Sequence, residues 1–196
     1  MGDKSARKKQ YIIDKAREVF MEKGYKTVTM KDIVDICEIS RGGLYLYFDS
    51  TRQLFLEVIK ADEESGEDVF GGKISEESTA AEILVLFLVE QKKEILKKKD
   101  SLAKATYEFY FEGRPDKKDD VIRMDFDEAV KVLQKIIEIG IENEEFVCSN
   151  SLEAARNIMF TVEGLKITAQ TIGISSDALD KQFLYILSTL GVENDA

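Results

Sequence analysis

Arg41, Gly42, Gly43, Tyr45 and Tyr47 crowd into seven positions of the sequence, and as structure they make little sense. A glycine inside a helix costs about 0.8 to 1.0 kcal/mol relative to alanine, and here two stand side by side. Bare backbone does permit close approach to a second molecule. A guanidinium such as that of Arg41 forks onto a guanine edge or a phosphate, and tyrosine hydroxyls donate to phosphate oxygens. The chemistry available is therefore recognition of a polyanion. Other chemistries are harder to assemble. The chain has no histidine, so imidazole metal ligands, Ser/His/Asp triads and Cys/His dyads are excluded. Cys37 and Cys148 lie far apart with no CxxC spacing, which indicates neither a zinc cluster nor a disulfide framework. There is no paired-carboxylate or glycine-rich phosphate signature, so an enzyme is not expected, and neither is a cofactor or a metal.

Short helices must position these residues. Ile12, Ala16, Val19 and Phe20 recur at helical spacing and draw one apolar stripe from about Ser5 to Lys23, closed by Gly24. Thr29 with Asp32 reads as a capping box opening a helix whose apolar face is Met30, Ile33, Val34 and Cys37. Ser40 is the next N-cap, and Leu44, Tyr47 and Phe48 supply the buried side of a third helix. Ser50 with Gln53 then caps a fourth, carrying Leu54, Phe55, Val58 and Ile59. Two short helices joined through Glu38-Ile39-Ser40 fit a helix-turn-helix, with Arg41, Gly42, Gly43 and Tyr45 projecting from its second helix.

The rest of the 196 residues reads as helix too. Hydrophobic residues make up 44% and charged residues 34%, with a single proline, and no segment alternates with a period of two. The acidic stretch Asp62 to Asp68 and the Gly71-Gly72 pair mark a loop. Helices are expected at about 79 to 97, 101 to 112, 118 to 142, 151 to 172 and 177 to 190. The expected fold is all-α, eight or nine helices, divided into a DNA-binding head at 1–50 and a larger helical body at 51–196. The Lys97-Lys98-Lys99 run reads as a solvated helix end. The charged start Met1 to Arg17 lacks an apolar leader core, and the longest apolar run, Ile83 to Val89, is too short to cross a bilayer, so a cytoplasmic protein without membrane attachment is expected.

Charge follows the same division. The chain carries a net charge of -10, yet residues 1 to 48 hold ten Lys and Arg against seven acids, a net of +3. The remainder is strongly acidic. A cationic head on an acidic body presents one end to a polyanion and repels it elsewhere. Lys4, Arg7, Lys8 and Lys9 fit equally a solvated arm or a backbone-contacting one.

The segment from Thr27 to Phe55, TVTMKDIVDICEISRGGLYLYFDSTRQLF, resembles the DNA-binding domain of the TetR family of bacterial transcriptional regulators. The resemblance implies a homodimer that binds a palindromic DNA operator and releases it when a small-molecule effector enters the C-terminal domain. It implies DNA contacts at Thr29 and Lys31, then at Arg41, Gly42, Gly43, Tyr45 and Tyr47. Three positions depart from the family pattern: Glu38 stands where glycine is usual, Val34 where alanine is usual, and Thr51 where a phosphate-contacting lysine is common, a contact that Arg52 is expected to take over. The resemblance is weaker in the body, from Gly140 to Leu165, and implies that the last two helices pair across a dimer axis. The interface expected from their stripes comprises Ala155, Met159, Val162, Phe183, Ile186 and Leu190. An effector pocket for a small apolar or cationic ligand is expected among Phe87, Tyr107, Tyr110, Phe111 and Phe126; Glu90, Glu108 and Glu112 nearby fit either a solvated face or, if one faces the cavity, a partner for an organic cation. The alternatives are a redox-sensing regulator acting through Cys37 or Cys148, and a helical interaction module or enzyme without sequence-specific DNA binding.

Overall fold

The structure, a computed structural model, describes residues 2–64, 77–97 and 101–192. Among them are nine α-helices and no strand: α1 (Gly2–Lys23), α2 (Met30–Cys37), α3 (Arg41–Tyr45), α4 (Thr51–Glu64), α5 (Ala80–Leu96), α6 (Ala103–Glu112), α7 (Val121–Glu142), α8 (Ser151–Thr171) and α9 (Ser176–Thr189). The all-α expectation holds. The helix expected from residue 118 starts three residues later, because Lys117–Asp119 form a separate 3-10 turn. The Gly71-Gly72 loop, most of the acidic stretch before it, and Lys98 and Lys99 lie outside the described residues.

The chain forms two compact units. One comprises Met1–Gly66 with Lys98–Val121, the other Glu67–Lys97 with Ile122–Ala196. In the first, the stripe of α1 is fully buried, and Gly24, in the left-handed region at φ 79°, ends the helix by donating its N–H to Phe20 O at 2.9 Å. Rings from three helices and the loop after α1 meet there: Phe20 and Phe55 at 4.6 Å, Tyr25 and Phe109 at 5.0 Å, Phe55 and Phe109 at 5.3 Å. Aromatic pairs at such spacing contribute about 0.5 to 1.5 kcal/mol beyond the area they bury. Ion pairs between Lys9 and Glu57, and between Arg17 and Asp62 at 2.5 Å, tie α1 to α4. As packing, this unit runs past the division expected at residue 50: Leu54, Phe55, Val58 and Ile59 are buried in the core that α1 lines.

The second unit packs α5, α7, α8 and α9 around aliphatic side chains, among them Leu84, Leu88, Leu133, Ile137, Val162 and Leu179. Its α5 starts on two carboxylates. Glu82 closes a capping box with Thr79, and Glu145 accepts hydrogen bonds from Ala80 N at 3.2 Å and Ala81 N at 2.8 Å. Burial works against the charge of Glu145, but donation by Ala81 and Ala80 outweighs it and holds the carboxyl below its ordinary range. Phe146 packs against Gly140, where a Cβ would stand 2.9 Å from its Cγ.

Candidate nucleic-acid interface

The candidate interface is assembled by three side-chain caps. Thr29 caps α2: its hydroxyl accepts from Asp32 N at 3.3 Å, and Asp32 Oδ2 accepts from Thr29 N at 2.8 Å and from Thr29 Oγ1 at 2.6 Å. Asp32 also accepts from Lys23 Nζ at 2.6 Å. That ammonium, then the Thr29 hydroxyl and N–H, hold the Asp32 carboxyl far below the usual carboxylate range. Ser40 caps α3, accepting from Gly43 N at 3.0 Å. Ser50 caps α4, accepting from Gln53 N at 3.2 Å, while Gln53 reaches back to Asp49 N at 2.7 Å. Each such cap is worth about 1 kcal/mol, and together they fix where each short helix begins.

The turn between α2 and α3 is strained. Glu38 sits in the left-handed region at φ 53° and ψ 40°, a conformation that glycine adopts without steric penalty. The departure noted at this position in the sequence is therefore a real one: the turn demands positive φ, and a glutamate supplies it.

Burial separates the faces of α3. Leu44 and Phe48 are buried, Tyr47 is half-buried against the same core, and Arg41, Gly42 and Tyr45 are exposed. A Cβ on Gly42 would meet nothing within 4 Å, so this unit's own packing does not require a glycine there. Gly43 differs: a Cβ there would stand 3.1 Å from Ser40 Oγ, so its bareness serves the N-cap. Lys31 and Arg41 are exposed and make no ion pair among the described residues. The Thr29 hydroxyl, in contrast, is engaged in its capping box.

Arg52 is turned elsewhere. Its Nη2 donates to Gly113 O at 3.1 Å and Arg114 O at 3.2 Å, and its guanidinium stacks over the Phe109 ring at 4.5 Å. The carbonyl-rich end of α6 attracts the cation, and the ring face adds a cation–π contact. Arg52, expected to contact phosphate, is engaged within its own unit in this structure. One residue of the exposed face escaped sequence reading: Leu46, 83% exposed just beyond α3. Its place between Leu44 and Phe48, off the buried row, was the available signal.

The remaining expected sites divide differently. Tyr107, Tyr110 and Phe111 belong to the first unit, Phe87 and Phe126 to the second. Phe87 is core, Phe126 packs against Phe160 at 5.1 Å, and Phe111 is exposed beside Tyr107. Two of the three carboxylates expected near a cation are engaged: Glu108 accepts from Lys26 N at 3.1 Å, and Glu90 pairs with Lys93 at 2.7 Å. The six residues expected at a dimer interface, Ala155, Met159, Val162, Phe183, Ile186 and Leu190, are all buried in the second unit's own core. Each helix has two apolar faces, and the stripe chosen from sequence is the inner one. The outward stripe carries Phe160 and Ile167 on α8, flanking Gly164, and Leu184 and Tyr185 on α9. Cys37 is buried in the first unit, which pushes its thiol up, and Cys148 is half-buried in the second. A raised thiol is the opposite of a reactive one.

Two descriptions match the sequence: bacterial regulatory proteins of the tetR family over residues 12–58, and the tetracyclin repressor-like C-terminal domain over residues 83–180. The chain belongs to the TetR family. Similar to it are the regulator YfiR of Bacillus subtilis, described as an uncharacterised HTH-type transcriptional regulator and 29% identical over 136 residues, and the HTH-type transcriptional regulator QacR of Staphylococcus aureus, 38% identical over 55 residues. These matches span 69% and 28% of this chain, and only 66% and 29% of the relatives' own lengths. In fold, the chain is similar to a TetR transcription regulator from Haloarcula marismortui, with a TM-score of 0.74 at 19% identity, covering 95% of this chain and 97% of that one. No helix among the described residues is long and apolar enough to cross a membrane.

Proposed function

We propose that this TetR-family chain is a cytoplasmic transcriptional regulator, acting as a repressor, whose homodimer binds a palindromic DNA operator and is released by a small molecule. The observation that carries the reading is the outward row of α3: Arg41, the open Gly42 and Tyr45, held out by a capped helix whose other side is fully buried. In this reading residues 1–50 read DNA and 51–196 pair the chains and take the effector. Arg41 contacts a base or a phosphate, Gly42 lets the backbone approach, and Tyr45, Lys31 and the half-buried Tyr47 reach phosphates. Thr29 and Gly43 contribute through the caps they make, and Arg52 is left out.

The second copy docks on the outward stripe of α8 and α9, where Phe160, Ile167, Leu184 and Tyr185 expose apolar surface around Gly164. An exposed apolar face of this kind marks a partner surface. The effector is taken by the acidic body. Its entry and DNA binding must couple reciprocally, by about 1 to 3 kcal/mol in typical cases. Two chains with one helix-turn-helix each require a site with two-fold symmetry, its half-sites about 10 to 10.5 base pairs apart or a multiple of that. Selection from a random duplex pool with the purified protein tests this. An enriched inverted repeat with that spacing supports the reading, and an unenriched pool removes it.

A further inference from the structure

Leu46 is among the most exposed large apolar side chains of the described residues, at 83%. It cannot turn inward, because Leu44 and Phe48 on either side already fill the buried row. Its backbone is in the right-handed helical region, at φ -67° and ψ -20°, and its N–H donates to Gly42 O at 3.2 Å. The helical path therefore runs on through Leu46 and sets it one turn beyond the bare Gly42, beside the exposed Tyr45. An aliphatic side chain thus stands on the same outward row as the open glycine, next to Tyr45.

We propose that Leu46 reads a thymine C5-methyl group in the major groove. The inference rests on the reading of α3 as the helix that enters DNA. Base edges in that groove present hydrogen-bond donors and acceptors, with one exception: thymine also presents a methyl group. A leucine offers neither donor nor acceptor. Placed over the amino group of cytosine, it would strip water from that donor without replacing the hydrogen bond. Placed over thymine, it buries a methyl against its own, which is favourable. Leu46 therefore selects thymine twice, by the contact it makes with T and by the pairing it denies to C. The arginine reads by hydrogen bonds and the leucine by the groove's apolar mark, so the two sort different base pairs.

The test uses the full-length protein and a duplex selected from a random pool, with each thymine replaced in turn by deoxyuridine. That exchange removes only the methyl group and keeps base pairing and O4. One symmetry-related thymine should show a loss of roughly three- to five-fold per half-site, the effect of one buried methyl. The same exchange should have no effect on Leu46→Ala, whose affinity for the thymine operator is already reduced by at least that factor. Because the side chain is exposed, the variant should unfold at the same denaturant concentration as the parent. If no thymine is sensitive to losing its methyl, or if Leu46→Ala retains the full sensitivity, the inference falls while the DNA-binding reading stands. If no duplex is enriched at all, both fall.

Discussion

The α2–α3 pair and the α8–α9 pair both bury one face and leave another outward, yet the outward faces differ in kind. On α3 it is charged, bare or phenolic, with the aliphatic Leu46 just beyond the helix end. On α8 and α9 it is aromatic and aliphatic, around a glycine that a Cβ could occupy freely. The short helices are set by side-chain caps and an arginine stacked on a ring, whereas the long ones are set by extensive apolar packing. The first arrangement suits a wet, charged surface approached in register; the second suits a partner that buries what it touches. Position matters most at the first face and area at the second.

The largest expected effect separates the two cores. Phe55→Ala removes a fully buried ring from the aromatic cluster and should cost about 3 to 5 kcal/mol of the first unit's stability. DNA binding should be lost while sedimentation still reports a dimer. Next comes the outward face of α8 and α9, proposed above to pair two chains. Phe160→Asp combined with Tyr185→Asp should weaken self-association by at least about 2 kcal/mol, the scale of an interface anchor, without a change in helical content. Val162→Ala, on the inner stripe, should do the reverse, lowering unfolding stability and leaving the dimer intact. Sedimentation and denaturant titration on the same samples distinguish these outcomes.

The different legibility of the two regions has a physical cause. The caps at Thr29, Ser40 and Ser50 and the turn at Glu38 were readable because each is local: a capping hydroxyl and the N–H it accepts from lie three residues apart in any chain that folds this way. The adjoining glycines stood out for the same reason. Periodicity shows that α8 and α9 have apolar stripes, but with two stripes it does not say which one the unit's own core takes up; Ala155, Met159, Val162, Phe183, Ile186 and Leu190, expected at a dimer interface, are buried in that core. Arg52 could not be placed either. Its partners, Phe109 and the carbonyls of Gly113 and Arg114, lie about sixty residues downstream, and no local pattern announces them.

Smaller effects sharpen the account of the reading face. Arg41→Ala should lose roughly 1 to 3 kcal/mol on the selected operator and relax preference at one base pair, as measured by anisotropy on matched and mismatched duplexes. Asp32→Asn should remove the carboxylate charge and one of the two acceptor oxygens that serve Lys23 and Thr29, at a cost of about 1 kcal/mol. The sign of its pH dependence follows from the lowered carboxyl. The unfolded chain takes up the proton first, so the stabilisation is complete above the ordinary value of 3.8 and falls away as pH drops below it. Stability curves of parent and Asp32→Asn should therefore differ at neutral pH and converge in acid. Glu38→Gly should have the smallest effect, a net gain of less than about 1 kcal/mol, because relief of the left-handed strain is partly offset by the entropy of glycine.

The ratio of affinities for the selected operator and for a random duplex, measured at one physiological salt concentration, tests most directly whether α3 reads sequence. The account predicts that the operator is bound at least about a thousand-fold more tightly, with the ratio reduced in Arg41→Ala. A ratio near one, with equal losses on both duplexes for Arg41→Ala, would mean that this face meets only phosphates and would contradict the account.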